Sequence, residues 1–313
     1  MKGIVILFWI ATMSWLVVAK VLPPLERGDP PTFRSVYGNL DPQAPPISWT
    51  VDWNDRPIGW AASRVLRNSS GLFEVHSRLH VARWPVEEML PVLLRAALRD
   101  VVSSFGGLEL DAFNRIEIDP LNRLVGFRST IHIKKVQQAI VIEGSVEGKR
   151  LKLHVDAGGV TCPPSDHYLP SDALVGDELS PQATLVGLHI GQTWTVPVYN
   201  PLHPEGPLEV LEATVRGHES MRWDGQSVDV LTVIYQSDSG SALGTSRTPH
   251  GKLWVAHDGT VLRQEIGIFG SRLTFLRLSP GESAKLTAGL DDMLIARPPG
   301  RHAADANEPP NVR

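Results

Sequence analysis

The stretch from Leu72 to Val81 constrains this chain most. Glu74, His76, Arg78 and His80 fall on one side of an alternating pattern, and Phe73, Val75, Leu79 and Val81 on the other. Successive strand residues point to opposite faces, so this period predicts a strand with one buried and one wet face. RLKLHVDAG repeats it, with Leu151, Leu153 and Val155 alternating with Lys152, His154 and Asp156. RIEID, LVGFRSTIHI and AIVIEGSVEG fill most of the interval from Arg115 onward. A second block from Leu188 to Leu278 carries WTVPVYN, LEVLEATVRGHES, SVDVLTVIYQS, GKLWVAHDGTVLRQEIGIF and RLTFLRL. Asp224-Gly225 and Asp258-Gly259 mark tight hairpins there, because glycine supplies the positive φ such turns need. Many short one-faced strands joined by brief turns predict a mainly β protein, a curved antiparallel sheet or incomplete barrel. With 313 residues, 42% of them hydrophobic, the chain can fill such a core.

One amphipathic helix is expected to pack on this sheet. Leu90, Leu93, Leu94, Ala97, Leu98 and Val101 recur at helical spacing, and Gly106-Gly107 ends the run, placing the helix near residues 91–104. The leader differs in kind. Lys2 precedes the apolar run GIVILFWIATMSWLVVA, followed by Lys20 and Pro23-Pro24. Seventeen apolar residues reach the lower bound for a spanning helix, so residues 1–22 read as an N-terminal membrane anchor or signal segment, with Val17-Val18-Ala19 as the alternative cleavage site. The positive N-terminal end sets the body outside the cytoplasm, on the periplasmic or extracellular side of a cell membrane crossed once, or free in the periplasm if the leader is cleaved. Residues 23–46 read as a Pro-rich linker and 47–280 as the β body, divided into blocks 47–158 and 188–278 by a surface excursion. Residues 281–313 read as a disordered tail.

Charge narrows the partners. Thirty basic residues against 34 acidic ones, scattered singly, offer no surface for phosphates, so no nucleic acid is expected. Catalytic chemistry is equally sparse. Cys162 is the single cysteine, with Asp166 and His167 close by in sequence, but Pro163-Pro164 follow it in a loop and no helix start adjoins it. Ser239 in SDSGSALG lacks the order of a nucleophile elbow. His76 and His80 share a strand face without a recognised ligand pattern, so no metal and no cofactor are expected.

The remaining oddity is WTVDWNDRPIGWAASRV, which holds three indoles in one hairpin. Taking Asn54–Pro57 as the loop pairs Trp53 with Ile58, Val51 with Trp60 and Trp49 with Ala62. That register puts all three rings on one side of the sheet. They are then either core or the wall of a cavity for an acyl chain, and Trp49, Trp53 and Trp60 are the candidate ligand-binding residues.

The stretches LHIGQTWTVPVYN, LEVLEATVRGHESMRWDGQSVDVLTVIYQ and GKLWVAHDGTVLRQEIG resemble a bacterial envelope family with a Gly-x-x-Trp strand and a later Trp-x-x-x-x-Gly-x-Val-Leu hairpin. The hairpin around Ile58-Gly59-Trp60-Ala61 is similar to β regions that accompany planctomycete transglutaminase-like proteins. This resemblance implies a curved antiparallel sheet related to the lipoprotein-carrier half-barrels, with a helix against its concave side. A transglutaminase-like catalytic segment is missing from the sequence. The expectation is therefore a membrane-anchored envelope protein that is not an enzyme, binding or scaffolding a hydrophobic ligand such as a lipid, or an envelope protein partner. A purely structural interaction protein with a filled core is the alternative, and a hydrolase or transferase using Cys162 the third.

Overall fold

The computed structural model describes residues 9, 12–15, 42–84, 108–121, 123–134, 139–157, 160–170, 174–175, 180–199, 208–237, 250–268 and 270–290. Strands β1 (Ile47–Trp53), β2 (Arg56–Arg67), β3 (Phe73–Trp84), β4 (Leu108–Ile118), β5 (Leu124–Ile133), β6 (Ile140–Glu147) and β7 (Arg150–Ala157) form one antiparallel meander. The short β8 (Val160–Thr161) and β9 (Ser165–Tyr168) both pair with β7. β10 (Leu174–Val175) lies parallel to β11 (Thr193–Tyr199). From there β12 (Leu208–Trp223), β13 (Gln226–Ser237), β14 (Gly251–Ala256), β15 (Val261–Ile268) and β16 (Ser271–Arg277) form a second meander.

The two β blocks are not separate bodies. β1 pairs with β16, Val51 opposite Phe275 and Trp53 opposite Leu273, which merges both meanders into one 16-stranded sheet. β8 and β10 end its path without pairing to each other, so the sheet is unclosed. A smaller cluster of Val230, Trp254 and Leu262 is buried on one side of the sheet, and alternation gives the opposite side its main apolar face. Along that face run three packed clusters, one around Leu151 and Leu153, one around Trp49, Trp53 and Phe275, and one around Trp194 and Val233.

The segment predicted as a surface excursion runs over this apolar face in its second half. The Ser180 hydroxyl lies 3.0 Å from that of Ser77 on β3 and accepts from Asn114 Nδ2 of β4 at 2.8 Å. Two residues on, Gln182 N–H donates to the side chain of Gln264 on β15. Ala183 and Leu185 are buried in the second and third clusters, and the Arg277 guanidinium donates to the Ala183 carbonyl at 2.9 Å. On a flat sheet β4 and β15 would lie five strand spacings apart, about 24 Å. Two residues of extended chain span about 7 Å, and the hydrogen-bonded side chains add only about 5 Å at each end. The sheet therefore curls around its apolar face, with residues 180–185 as a strap on the inside.

Several turns follow their sequence signals. Asp224 and Gly225 both have positive φ, 47° and 74°, and Gly259 sits at 85°. The first hairpin departs from expectation. Asn54 and Asp55, at φ 48° and 64°, form a two-residue turn instead of the four-residue loop 54–57, and a bulge follows between Val51 and Asp52. Trp53 thus pairs with Arg56, Trp49 with Ala61 and Thr50 with Trp60. This one-residue slip moves Trp60 to the opposite face from Trp49 and Trp53.

The disordered tail predicted from residue 281 begins instead with helix α1 (Pro280–Thr287). Pro280 occupies its first turn, and the N–H and hydroxyl of Ser279 both donate to the Glu282 carboxylate. Buried Ser283 accepts a hydrogen bond from Ser48 N–H, seating α1 on β1. The helix expected at 91–104 lies outside the described residues, as does most of the leader. Among the described residues no helix is long and apolar enough to cross a membrane.

Trp53 is 1% exposed, so Trp53→Ala is expected to cost about 3–5 kcal/mol in urea unfolding. Trp60→Ala, removing a partly exposed outer ring, costs about 1 kcal/mol. Equal losses at the two positions would contradict the placement of these rings on opposite faces.

Candidate functional site

The strand register defines a continuous row near one end of the inner face. Trp194 pairs with Ala213, Ala213 with Tyr235, Tyr235 with Gly251, Gly251 with Ile266, Ile266 with Leu273 and Leu273 with Trp53. Of the small members, Ala213 lies between the two aromatic residues and Gly251 between Tyr235 and Ile266. The Trp194 and Tyr235 rings meet edge to face, centroids 6.3 Å apart. On the other arm Leu110 pairs with Ile133, and Trp84 leans on Trp53 with centroids 5.7 Å apart. Ile58, Trp84, Leu110, Ile133, Ile140 and Ile266 are half-buried and pack on the central cluster, whereas Val51 and Phe275 beneath are fully buried. Leu211, Val198 and Tyr235 do the same beside Trp194.

The two ends of the sheet differ in their connections. Away from this row the strands turn over briefly, at 68–72, 119–123, 148–149, 224–225 and 257–260. At the row's end two-residue connections at 54–55 and 269–270 stand beside longer ones, from β3 to β4 across residues 85–107, from β11 to β12 across 200–207 and from β13 to β14 across 238–250.

Two polar atoms stand out in this apolar setting. Trp194 is 2% exposed, and among the described residues its Nε1–H finds no acceptor. An unmet buried donor costs about 1–3 kcal/mol, which an incoming acceptor recovers. Tyr235 is half-buried by surface yet lies deep in the concavity, where burial pushes its phenol well above the ordinary range and keeps it a neutral donor. Among the described residues, the end of the inner face thus offers an apolar wall with two neutral hydrogen-bonding groups.

Of the sequence candidates, Trp49 and Trp53 are brought together as core, and Trp60 is not with them. Trp60 lies outside, its ring 5.3 Å from the Arg78 guanidinium and 5.6 Å from the His80 ring. Arg78 is held between Trp60 and Phe113 and donates twice to Asp111, which also contacts His80. His80, Glu109 and Asp111 have donor atoms within 4.8 Å of one another. Arg78 on Asp111 and Lys134 on Glu109 already supply the positive charge there, which disfavours a metal cation. His76 pairs with Glu74. Cys162 is exposed, its thiol unpartnered among the described residues, while the nearby Asp166 is paired with Arg150 and His167 contacts the Ser165 hydroxyl at 2.9 Å. Ser239 lies outside the described residues. Tyr235 and Trp194 were missed from sequence because the row that joins them is set by long-range register.

No family model matches the chain, and no curated protein matches it. Among solved structures, a β-barrel-like protein of the domain of unknown function DUF1849 from Brucella abortus is similar at TM-score 0.43 and 8% identity, covering 75% of this chain and 95% of that one. A DUF1089 family protein from Pseudomonas aeruginosa is similar at TM-score 0.35 and 16% identity, covering 67% and 90%. At these TM-scores neither likeness bears on function.

The outer face carries ordinary structural electrostatics. Burial alone would raise the Glu74 carboxyl, but hydrogen bonds from His76 and Asn68 and the Arg115 charge outweigh it and hold the group below its usual range. A carboxyl depressed in the folded state contributes stability above its unfolded pKa and loses it as pH falls through the folded one. Glu74→Gln is therefore expected to lower stability at pH 7 and to flatten its decline below about pH 4.5. A pH series of urea midpoints checks this, and an unchanged acid limb would contradict it.

Proposed function

We propose that this chain is a non-catalytic binding module of the cell envelope that takes an acyl chain at the Tyr235 end of the inner face of its curved sheet. The observation that carries this reading is the apolar row in which half-buried Tyr235 and Ile266 stand among buried neighbours, with the unmet Trp194 donor beside them. An apolar chain covers Leu110, Ile133 and Ile266, and its carbonyl or carboxylate oxygen accepts from Trp194 Nε1–H and the Tyr235 hydroxyl. Apolar pockets with a few convergent polar groups are the usual form of such sites.

The location follows from the leader. Lys2 and the apolar run from Gly3 to Ala19 support a membrane anchor or export signal, which leaves the body outside the cytoplasm and close to a source of lipid. The resemblance of the β body to lipoprotein-carrier half-barrels points the same way. Residues 23–46, rich in proline, then act as a tether between membrane and sheet.

The test is native mass spectrometry of the protein extracted gently from its own envelope. The wild type and Trp60→Ala are expected to carry a lipid, because Trp60 lies on the outer face. Leu110→Glu with Ile133→Glu is expected to lose it while circular dichroism stays that of the wild type. A wild type free of lipid, also after incubation with fatty acid, would overturn the reading in favour of a structural interaction protein with a filled core.

A further inference from the structure

We propose that His218, Asp229 and His257 form a binding site for a divalent transition-metal ion of the zinc class. The three come from β12, β13 and the turn between β14 and β15, at the short-turn end of the sheet and away from the apolar row. His218 Nδ1 lies 2.8 Å and His257 Nε2 3.2 Å from the same oxygen, Asp229 Oδ2. All three donor atoms fall within 4.8 Å of one another. A tetrahedral zinc ion with bonds of about 2.0–2.2 Å holds its ligands roughly 3.3–3.6 Å apart, so small side-chain rotations admit the ion.

The backbone builds this arrangement. Val215 pairs with Val233 and Gly217 with Thr232, leaving Arg216 as the extra residue of a bulge. Without that bulge the alternation would send His218 to the opposite face. With it, His218 pairs with Leu231 and shares a face with Asp229, which pairs with Ser220. The turn at Asp258-Gly259, fixed by Gly259 at φ 85°, brings His257 beside them, with the two imidazoles 5.5 Å apart.

The surroundings favour a cation over a plain ion pair. Among the described residues no lysine or arginine touches the Asp229 carboxylate, in contrast to Asp111 of the His80 group, which Arg78 occupies. Two imidazoles and one carboxylate are borderline donors suited to zinc, nickel or copper rather than calcium or magnesium. The three protein ligands leave a fourth position for water, and the ion ties the β14–β15 turn to the β12–β13 hairpin.

The experiment is titration of the metal-stripped full-length chain with zinc ion against a competing chelator, followed by calorimetry and by cobalt(II) absorption as a spectroscopic substitute. The wild type is expected to bind with a raised Tm and a tetrahedral cobalt spectrum. His218→Gln, His257→Gln and Asp229→Asn each lower affinity at least tenfold, and His80→Gln leaves it unchanged. All three site residues are solvent-exposed, so these variants keep their fold, checked by circular dichroism. The proposal is overturned if the wild type shows no saturable binding, or if the His218→Gln/His257→Gln double variant binds as well as the wild type. In either case the trio is a hydrogen-bonded surface group only.

Discussion

The ladder between β1 and β16 is the interaction on which the rest of this structure depends. It joins Ile47–Trp53 to Ser271–Arg277, segments from the two ends of the β body, and sets Val51 against Phe275 and Trp53 against Leu273 in the central cluster. Without it each meander would expose a long apolar edge strand, a template for aggregation. The ladder is locked at both ends. Asn54 N–H donates to the Arg272 carbonyl and its side-chain oxygen accepts from Arg272 N–H, while α1 covers Ser48 at the start of β1. Trp223 Nε1–H donates to the Arg277 carbonyl and the Arg277 guanidinium to Ala183, so the strap and the longest hairpin are both tied to the same strand.

How much of this was legible depends on the range over which each feature is determined. The strands were, because a buried face imposes period two on every segment, and so were the Asp-Gly hairpins, whose φ values are local. The first hairpin was misread because Pro57 has the look of a loop residue, whereas here it pairs with Asp52 and the turn is made by Asn54 and Asp55 in left-handed conformation. The shorter turn alone shifts the register by two and would leave Trp60 on the side of Trp49; the bulge opposite Val51 and Asp52 reduces the shift to one residue and turns Trp60 to the outer face. Helix α1 carried a readable signal, Ser279 followed by Pro280 and by Glu282 three residues on, which the polar composition around it masked. The strap carried none. Nothing in Ser180-Pro181-Gln182-Ala183 marks it as interior, since its burial comes from strands distant in sequence.

The same division governs function. Composition and the leader carry only the expectations of no nucleic acid and an envelope location, and the residues of the proposed lipid site and of the proposed metal site converge only through register. Tyr235 and Trp194 stand in one row because five ladders align between Trp194 and Leu273. His218 joins Asp229 because a bulge shifts β12 by one residue. The two sites lie at opposite ends of the strands, the metal trio beside the connections 224–225 and 257–260 and the apolar row beside 54–55 and 269–270.

The most direct measurement of the central claim uses the protein labelled with 5-fluorotryptophan and observed by fluorine NMR with a fatty acid carrying a spin label near its chain end. The account predicts that the resonances of Trp84, Trp53 and Trp194, assigned by substitution, broaden, while that of Trp60 on the outer face stays sharp. Broadening of Trp60 alone, or no broadening of the three inner rings at saturating fatty acid, would contradict a ligand seated against the inner face.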